Sequence, residues 1–329
     1  MKKLNLVALM AMSMSVSMLA GCSQAKNTIG ILYPVEHAAL KLAADGFVEG
    51  LVEEGLKEGS DFAVNNKNAG GDEASLQSLA KDLVVSSDMT LGLGTGASKA
   101  LKSASVDAGK TNPIMFTAVT DPVGAKLVDR DENGSGYVAG ASDAQPIALQ
   151  LNLVKKVLPE ADKIGIIYSS DEENSVVQAE QAKAIATLLG LAVSTKTVSS
   201  PAEISAAANA LASEEGMDAM YIPTDNRIAA NMNAIKDACN ANHVLSICGE
   251  FGEVETGGHI SYSFDYKMLG KATGKMAAQI LKGEKEAKDL PVLYLNAEQC
   301  EIRYSSANLA GSGIELPADL VAKAKDVNA

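Results

Sequence analysis

The chain has 329 residues and a hydrophobic content of 47%, which favours two domains, each with its own core. Its formal net charge at pH 7 is −13, and this acidity disfavours nucleic acid and anionic membrane surfaces as partners. Beyond the N-terminal apolar run, no stretch of the sequence is long and apolar enough to span a bilayer as a helix.

The N-terminus has the pattern of a secretory signal. Met1-Lys2-Lys3 is followed by an apolar run of small residues that leads to Cys22. A basic start, a short apolar run and small residues before a cleavage site predict a signal peptide over residues 1–21 rather than a membrane span. Leu19-Ala20-Gly21-Cys22 resembles a bacterial lipobox, so we expect a lipid on Cys22 that anchors an extracytoplasmic protein to the cell membrane. An ordinary signal peptide with a chance cysteine is the alternative.

An internal repeat organises the rest of the chain. Ile29-Gly30-Ile31-Leu32-Tyr33 returns later as Ile164-Gly165-Ile166-Ile167-Tyr168. Each run has the apolar, β-branched character of a strand buried on both faces, and each is followed by a polar loop and a helical pattern. Further strand and helix patterns repeat in the same order, about four units in each half. Such alternation predicts parallel sheets covered by helices on both faces.

Two such halves predict an α/β protein of two doubly wound lobes with a hinge and a cleft between them. We assign residues 27–141 and about 266–288 to the first lobe, and residues 142–265 and about 289–329 to the second. A helical pattern from Gly270 to Leu281 is expected to return to the first lobe, and the chain from Pro291 onward to close on the second.

The loops that follow the strands are the predicted ligand site, because open parallel sheets bind ligands outside the carboxyl ends of their strands. Thr95, Ser98 and Ser175 are hydroxyl donors at helix starts, where free N–H groups favour an anion. Asp121, Asp225 and Glu250 are acids at strand ends and suit an ammonium group. The two sets together predict a site for a zwitterion, although each residue is equally a candidate helix cap.

The sequence indicates no cofactor, metal site or catalytic centre. Gly92 to Ala97 fits the dinucleotide pattern G-x-G-x-x-A, but it follows the third strand rather than the first, and no acid stands at the required distance. Cys239, Cys248 and Cys300 form no CxxC pair, and the three histidines lack ligand spacing. We expect free thiols, with a Cys239–Cys248 disulfide as the alternative, and a protein that is not an enzyme.

Several motifs at these loops carry a resemblance to one family. They are Val35-Glu36-His37, Asp45-Gly46-Phe47, Phe116-Thr117-Ala118-Val119-Thr120-Asp121-Pro122-Val123-Gly124-Ala125, Glu173-Asn174-Ser175, Pro223-Thr224-Asp225-Asn226 and Asp265-Tyr266. With them the chain resembles the ABC-transporter substrate-binding lipoproteins of the tryptophan/tyrosine-binding type, which have a type I periplasmic-binding-protein fold. Ala38 stands where the family usually has proline, and Phe251 begins a different continuation after Gly249-Glu250.

The resemblance implies capture of an L-amino acid, often aromatic, by hinge closure and its delivery to an ABC permease with its ATPase. It also implies a monomer that touches the membrane only through its lipid anchor. A sugar or nucleoside ligand on the same fold, or a ligand-sensing surface lipoprotein, remain alternatives.

Within this hypothesis the ligand contacts have assigned roles. Thr95, Asn174 and Ser175 would hold the carboxylate, and Asp225 would accept the ammonium. The side-chain pocket would include Tyr33, Val35 and His37, while Asp121 organises its own turn. The full set of predicted ligand-binding residues is Tyr33, Val35, Glu36, His37, Thr95, Gly96, Ala97, Ser98, Thr117, Val119, Thr120, Asn174, Ser175, Thr224, Asp225, Asn226, Glu250 and Asp265.

Overall fold

The computed structural model describes residues 25–131 and 134–329, so the predicted signal peptide and Cys22 lie outside the described residues. The strands are β1 (Asn27–Tyr33), β2 (Phe62–Asn68), β3 (Met89–Leu93), β4 (Ile114–Val119), β5 (Val138–Ser142), β6 (Lys163–Ser169), β7 (Ala192–Val198), β8 (Ala219–Ile222), β9 (Leu245–Cys248), β10 (Ile260–Ser263), β11 (Leu293–Tyr294), β12 (Glu301–Tyr304) and β13 (Ala324–Asp326). The α-helices are α1 (Ala38–Glu53), α2 (Glu73–Ser86), α3 (Gly94–Ala108), α4 (Ile147–Val157), α5 (Glu173–Leu188), α6 (Pro201–Ala212), α7 (Asn226–Ala229), α8 (Met232–Asn242), α9 (Phe251–Thr256), α10 (Tyr266–Leu281), α11 (Ser306–Ser312) and α12 (Ala318–Val321).

The first lobe is a parallel sheet between two layers of helices. Its strand order is β2-β1-β3-β4-β5-β11. One face buries Ile29 against Phe47 of α1 and Leu269 of α10, and the other buries Leu32 against Leu83 of α2 and Leu101 of α3. Strands β3, β4 and β5 are buried along their whole length, as expected for apolar runs covered on both faces.

The second lobe repeats this architecture in the strand order β7-β6-β8-β9-β10-β12-β13. All of its pairings are parallel except that of β10 with β12. Ile164 and Ile166 of β6 pack on one face with Leu151 of α4, while Ile167 packs on the other with Ile204 of α6. The two parallel-sheet lobes predicted from the repeat are therefore confirmed.

The chain crosses between the lobes three times: after β5, between β10 and α10, and between β11 and β12. The predicted final crossing at about residue 289 is too early. Leu293 and Tyr294 pair with Ala141 and Ser142 of β5 in the first sheet. The reason is that this segment is still held by the first lobe, whose core clusters include the preceding Leu290 and Val292.

Helix α10 returns to the first lobe as predicted and packs closely on α1. A Cβ on Gly270 would lie 1.9 Å from the Ala43 carbonyl oxygen, and a Cβ on Gly274 would lie 2.1 Å from that of Phe47. Only glycine allows the two backbones to approach this closely. Because α10 follows directly on a crossing, this tight contact fixes the hinge end of the first lobe.

The cysteines are free thiols, with Cys239 and Cys248 buried and Cys300 half-buried. The alternative disulfide between Cys239 and Cys248 is not formed. Within residues 25–131 and 134–329, His, Cys, Asp and Glu side chains form no group that could hold a metal ion. In the same part of the chain, no helix has both the length and the apolar character required to cross a membrane.

Candidate functional site

A cavity lies in the cleft where strand ends of the two lobes face each other. It encloses about 290 Å³ of empty volume, counted with the solvent space at its mouth. Only a small part of that volume is wide enough to hold a water molecule, so the two walls of the cleft are close together. The lining residues are His37, Leu40, Ala118, Thr120 and Tyr266 from the first lobe, Asp143 after β5, and Asn174, Thr224, Asp225, Asn226, Ala229, Glu250 and Glu253 from the second lobe.

Two of the acids in this wall have an oxygen without a partner. Glu250 precedes α9 and accepts a hydrogen bond from the Gly252 N–H with its Oε2, and Glu253 accepts one from the Gly249 N–H at 2.9 Å. The Oε1 atom of each carboxyl is buried and has no hydrogen-bond partner. Burial raises the pKa of Glu250 to about 8 and raises the pKa of Glu253 well above its usual range. Carboxyl groups in this state favour a cation in the cavity.

Asp225 has a different environment, because its carboxylate caps α7. Its oxygens accept hydrogen bonds from the Ser169 N–H at 2.5 Å, the Ser169 hydroxyl at 2.9 Å and the Ile228 N–H at 2.9 Å. Both oxygens are thus engaged within the second lobe. Asp225 lines the cavity, but three of its roughly four acceptor positions are used within the second lobe, so it has less free acceptor capacity for a ligand ammonium than Glu250.

The cleft is closed by contacts between the lobes. His37, at the start of α1, contributes Nε2 to a 3.2 Å hydrogen bond with the Asn226 Oδ1 of the second lobe. The Asn226 Nδ2 donates to Glu172 at 2.7 Å, which fixes the orientation of the amide. Nε2 therefore carries the proton, and the buried Nδ1, which has no partner, is a free acceptor. Burial lowers the pKa of His37 to about 4.

Gln178 of α5 joins the lobes deeper in the cleft. Its Nε2 donates to the Thr120 hydroxyl at 3.0 Å in the first lobe and also to the Thr224 hydroxyl in the second. Thr120 in turn donates to Asp143 at 3.1 Å, and the Tyr266 hydroxyl donates to the same carboxylate at 2.5 Å. A continuous hydrogen-bond network therefore runs from α10 across the cleft to α5.

A second cavity of about 280 Å³, again counted with open solvent, adjoins the first. Asn174 lines both cavities. The Thr95 hydroxyl, at the start of α3, is buried and has no hydrogen-bond partner. The cavity also spans both lobes, and its other lining residues are Asp121, Gly124, Ala125, Glu173 and Val177. As expected, Asp121 organises its own turn, since it accepts a hydrogen bond from the Gly124 N–H at 2.8 Å.

Of the predicted site residues, the structure brings His37, Thr120, Asn174, Thr224, Asp225, Asn226 and Glu250 to the first cavity and Thr95 to the second. The others line neither cavity. Ser98 bonds to the carbonyls of its own turn, Thr117 contacts Thr273 in the first lobe, and Asp265 caps α10. The remaining predicted residues outside both linings are Tyr33, Val35, Glu36, Gly96, Ala97, Val119 and Ser175.

Sequence reasoning missed several residues of the site. Glu253 and Gln178 lie three and four positions after the predicted Glu250 and Asn174, so helical spacing could have found them. Asp143 directly follows β5 at the crossing predicted near residue 141, so the rule that ligands bind at strand ends could have found it. Ala118 has a left-handed backbone (φ 57°) beside a register shift in β4, which turns this strand end toward the cavity. The other lining residues of the first cavity that the sequence did not predict are Leu40, Ala229 and Tyr266.

Comparison with known proteins gives consistent results. A Tyrosine-binding protein of Clostridioides difficile (strain R20291) is 34% identical over 300 residues, which cover 86% of this chain and 85% of that protein. The solved structure of an ABC domain from Streptococcus pneumoniae in complex with L-Trp has a TM-score of 0.84 at 33% identity and covers 92% of this chain and 99% of that one.

A third relative is a substrate-binding protein with adhesive properties from Clostridium difficile, solved in a ligand-free, open structure. It has a TM-score of 0.67 at 31% identity and covers 91% of this chain and 99% of that one. Residues 28–328 match the family described as ABC transporter substrate binding protein. The chain, with its two parallel-sheet lobes and the lined cleft between them, belongs to the ABC transporter substrate-binding protein family.

Proposed function

We propose that this protein captures an L-amino acid with an aromatic side chain, tryptophan, tyrosine or phenylalanine, in the interlobe cleft. The observation that carries the proposal is the Glu250 Oε1, a buried carboxyl oxygen without a partner in a cavity whose lining contains no lysine or arginine. A ligand ammonium would supply the missing positive charge. The relatives support the same class, since one is named a Tyrosine-binding protein and another was solved with L-Trp.

The arrangement of the lobes supports a ligand-binding cleft in its closed form. The L-Trp complex and the ligand-free, open relative are nearly equal in identity to this chain and in coverage, yet their TM-scores are 0.84 and 0.67. Divergence of sequence alone does not explain this difference, whereas the relative position of two rigid lobes does. An amino acid would enter when the lobes separate, and they would then close around it at a wider spacing than here, because the cavity now has room for little more than a water molecule.

The ligand's poles have partners of matching chemistry. The proposal assigns the ammonium to Glu250 and the carboxylate to the Thr95 hydroxyl, with Asn174 between the two cavities. The N-terminus of α3 adds a favourable field for an anion at Thr95. The side chain would lie against Leu40 and Ala229, where the lining is apolar.

His37 gives this apolar wall one polar feature. Its Nδ1 is buried, unprotonated and without a partner, so it accepts a hydrogen bond from a ligand donor. The indole N–H of tryptophan and the phenol O–H of tyrosine are such donors, and phenylalanine has none. The proposal therefore includes a preference for tryptophan or tyrosine over phenylalanine.

The wider biological role follows from the family and from the N-terminal sequence. We infer an extracytoplasmic binding protein, not an enzyme, that is held to the membrane by a lipid on Cys22 and works as a monomer with an ABC permease and its ATPase. The lipobox-like Leu19-Ala20-Gly21-Cys22 supports the anchor, and the family assignment supports the importer. Radiolabelled palmitate incorporation that is lost in Cys22→Ala would test the anchor.

The ligand itself is tested by calorimetric titration of the purified protein, refolded to remove any carried ligand. We expect saturable, stoichiometric heat with L-tryptophan or L-tyrosine. Glu250→Gln should weaken binding at least tenfold, because a hydrogen bond to a charged group contributes about 1.5–3 kcal/mol. Glu160→Gln is the matched control, since this exposed residue of the second lobe lies outside the cavity lining.

Two outcomes would contradict the proposal. Silence with all amino acids, together with heat from a sugar or a nucleoside, would keep the binding class and overturn the zwitterion site. Equal affinity of the wild type and Glu250→Gln for the amino acid would show that the ammonium binds elsewhere.

A further inference from the structure

Glu253 is a buried carboxyl for which the proposed recognition of an amino acid has no use. It lies in the first turn of α9, fully buried, three positions after Glu250. Its Oε2 accepts a hydrogen bond from the Gly249 N–H, but its Oε1, buried in the wall of the first cavity, has no hydrogen-bond partner. A buried, half-satisfied carboxyl costs folding free energy, so its retention beside the ligand site calls for a reason.

Among the residues that the structure describes, those lining the cavity around Glu250 and Glu253 include no lysine or arginine. The Arg303 guanidinium lies over the Phe251 ring at 4.1 Å and pairs with Glu301, Asp265 and Glu255. His37 is neutral, because burial holds its pKa near 4. The other titratable groups that act on the pair are Glu255 of α9, Asp143 after β5, Asp225 before α7, Tyr266 of α10, and Tyr221 and Cys248 of β8 and β9.

Two carboxyl groups buried together cannot both ionise unless a cation balances them. Burial is the first cause of the raised pKa of both groups, and the charge of Glu250 raises the pKa of Glu253 further. A closed cleft without a cation therefore requires protons on the pair. A closed cleft with an ammonium does not, because the ligand supplies the positive charge.

We propose that Glu253 is a specificity-determining residue, a second carboxyl that makes closure of the cleft depend on a cationic ligand group. This inference rests on the proposed amino-acid ligand. A neutral isostere, in which a hydroxyl replaces the ammonium, leaves the acidic pair unbalanced when the cleft closes. Such a ligand loses more binding free energy than one hydrogen bond contributes, because two carboxylate charges rather than one must be neutralised.

The test compares an amino acid with its α-hydroxy analogue, L-tyrosine with L-4-hydroxyphenyllactate, or the corresponding lactate where tryptophan or phenylalanine is the ligand. The measured quantity is the dissociation constant of the hydroxy acid divided by that of the amino acid, both at pH 7.5. In Glu253→Gln the ratio should fall at least tenfold, because the hydroxy acid binds more tightly and the amino acid more weakly. Glu160→Gln, an exposed acid-to-amide change elsewhere in the second lobe, should leave the ratio unchanged.

If Glu253 had only a structural role, Glu253→Gln would bind both ligands more weakly by the same factor. The ratio would then keep its wild-type value, and that result would overturn the inference. The wild type provides a second measurement in case the variant does not fold. Lowering the pH from 7.5 to 5.5 should lower this ratio of dissociation constants at least threefold, because protons on Glu250 and Glu253 replace the missing ammonium. His37 protonation opposes closure with either ligand and cancels in the ratio.

A ratio of dissociation constants that does not change with pH in the wild type would also contradict the inference. Absence of binding by every amino acid would instead refute the proposed function, so the two failures are distinguishable. Both measurements use the same titration, and neither depends on the lipid anchor.

Discussion

Replacing Gly252 by alanine is expected to weaken ligand binding by hindering closure while leaving each lobe folded. Gly252 lies in α9 of the second lobe and faces the start of α1 in the first. A Cβ added there would lie 2.9 Å from the Ala39 nitrogen and 3.0 Å from the Ala38 Cβ. Both distances are shorter than carbon contacts in packed proteins, and both partners belong to the opposite lobe.

The size of the effect follows from the geometry. Overpacking of this kind costs about 1–3 kcal/mol, and the part due to Ala38 and Ala39 acts only when the lobes meet. The Glu250 Oε2, 3.0 Å from the added Cβ, belongs to the same lobe and can shift. Closure and binding are coupled, so affinity should fall about 5- to 150-fold. The stability of the open protein should not fall, because Gly252 is helical with no positive φ and alanine is the better helix former by about 1 kcal/mol.

Calorimetric titration measures the affinity, and small-angle X-ray scattering with saturating ligand measures whether the lobes close. Gly96→Ala is the matched control, since a Cβ at this exposed position would approach nothing closer than the Leu76 Cδ2 at 3.8 Å. Wild-type affinity and a wild-type radius of gyration in Gly252→Ala would refute the reasoning. Weaker affinity with unchanged closure would trace the effect to displacement of the nearby Glu250 carboxylate instead.

Two further predictions concern contacts that bridge the lobes. Gln178→Met removes the 3.0 Å bond to Thr120, worth about 1 kcal/mol, and should weaken binding about fivefold by calorimetry, whereas Gln77→Met on exposed α2 should not. Burial in this structure holds the pKa of His37 at about 4, below its ordinary value of 6.5. The closed form therefore binds fewer protons than a form in which His37 is exposed, so a fall in pH below 6.5 favours the open form. Affinity should therefore decrease from pH 6.5 toward 4, more steeply in the wild type than in His37→Gln; parallel titration curves would contradict this assignment.

The parts of the fold that repeat were predictable from the sequence, because each strand and helix carries a local apolar pattern. The runs beginning at Ile29 and Ile164 fall on β1 and β6, and the helix from Gly270 lies within α10. The last crossing was not predictable. β11 has only two residues, and it stays in the first sheet because of Leu290 and Val292, whose packing depends on tertiary structure rather than on any local pattern.

The candidate site was predictable in location but not in roles. Strand ends alone led to His37, Thr120 and Glu250, all of which line the cavity. Sequence cannot distinguish an acid that caps a helix from one that faces a ligand, because both follow a strand. Only the hydrogen bonds do so: Asp225 and Glu250 both cap a helix, but both oxygens of Asp225 are engaged, whereas one oxygen of Glu250 is free.

The segment Pro223–Asn226 explains why recognition and closure are difficult to separate by mutation in this protein. Thr224 bonds to Gln178, Asp225 caps α7, and Asn226 bonds to His37 across the cleft. A substitution in this segment therefore disturbs the lobe, the contact between lobes and the cavity wall together. The start of α9, in the same lobe, differs, since Glu250 faces the cavity while Gly252 faces the first lobe. Variants on α9 are consequently the ones that can tell ligand recognition from lobe closure.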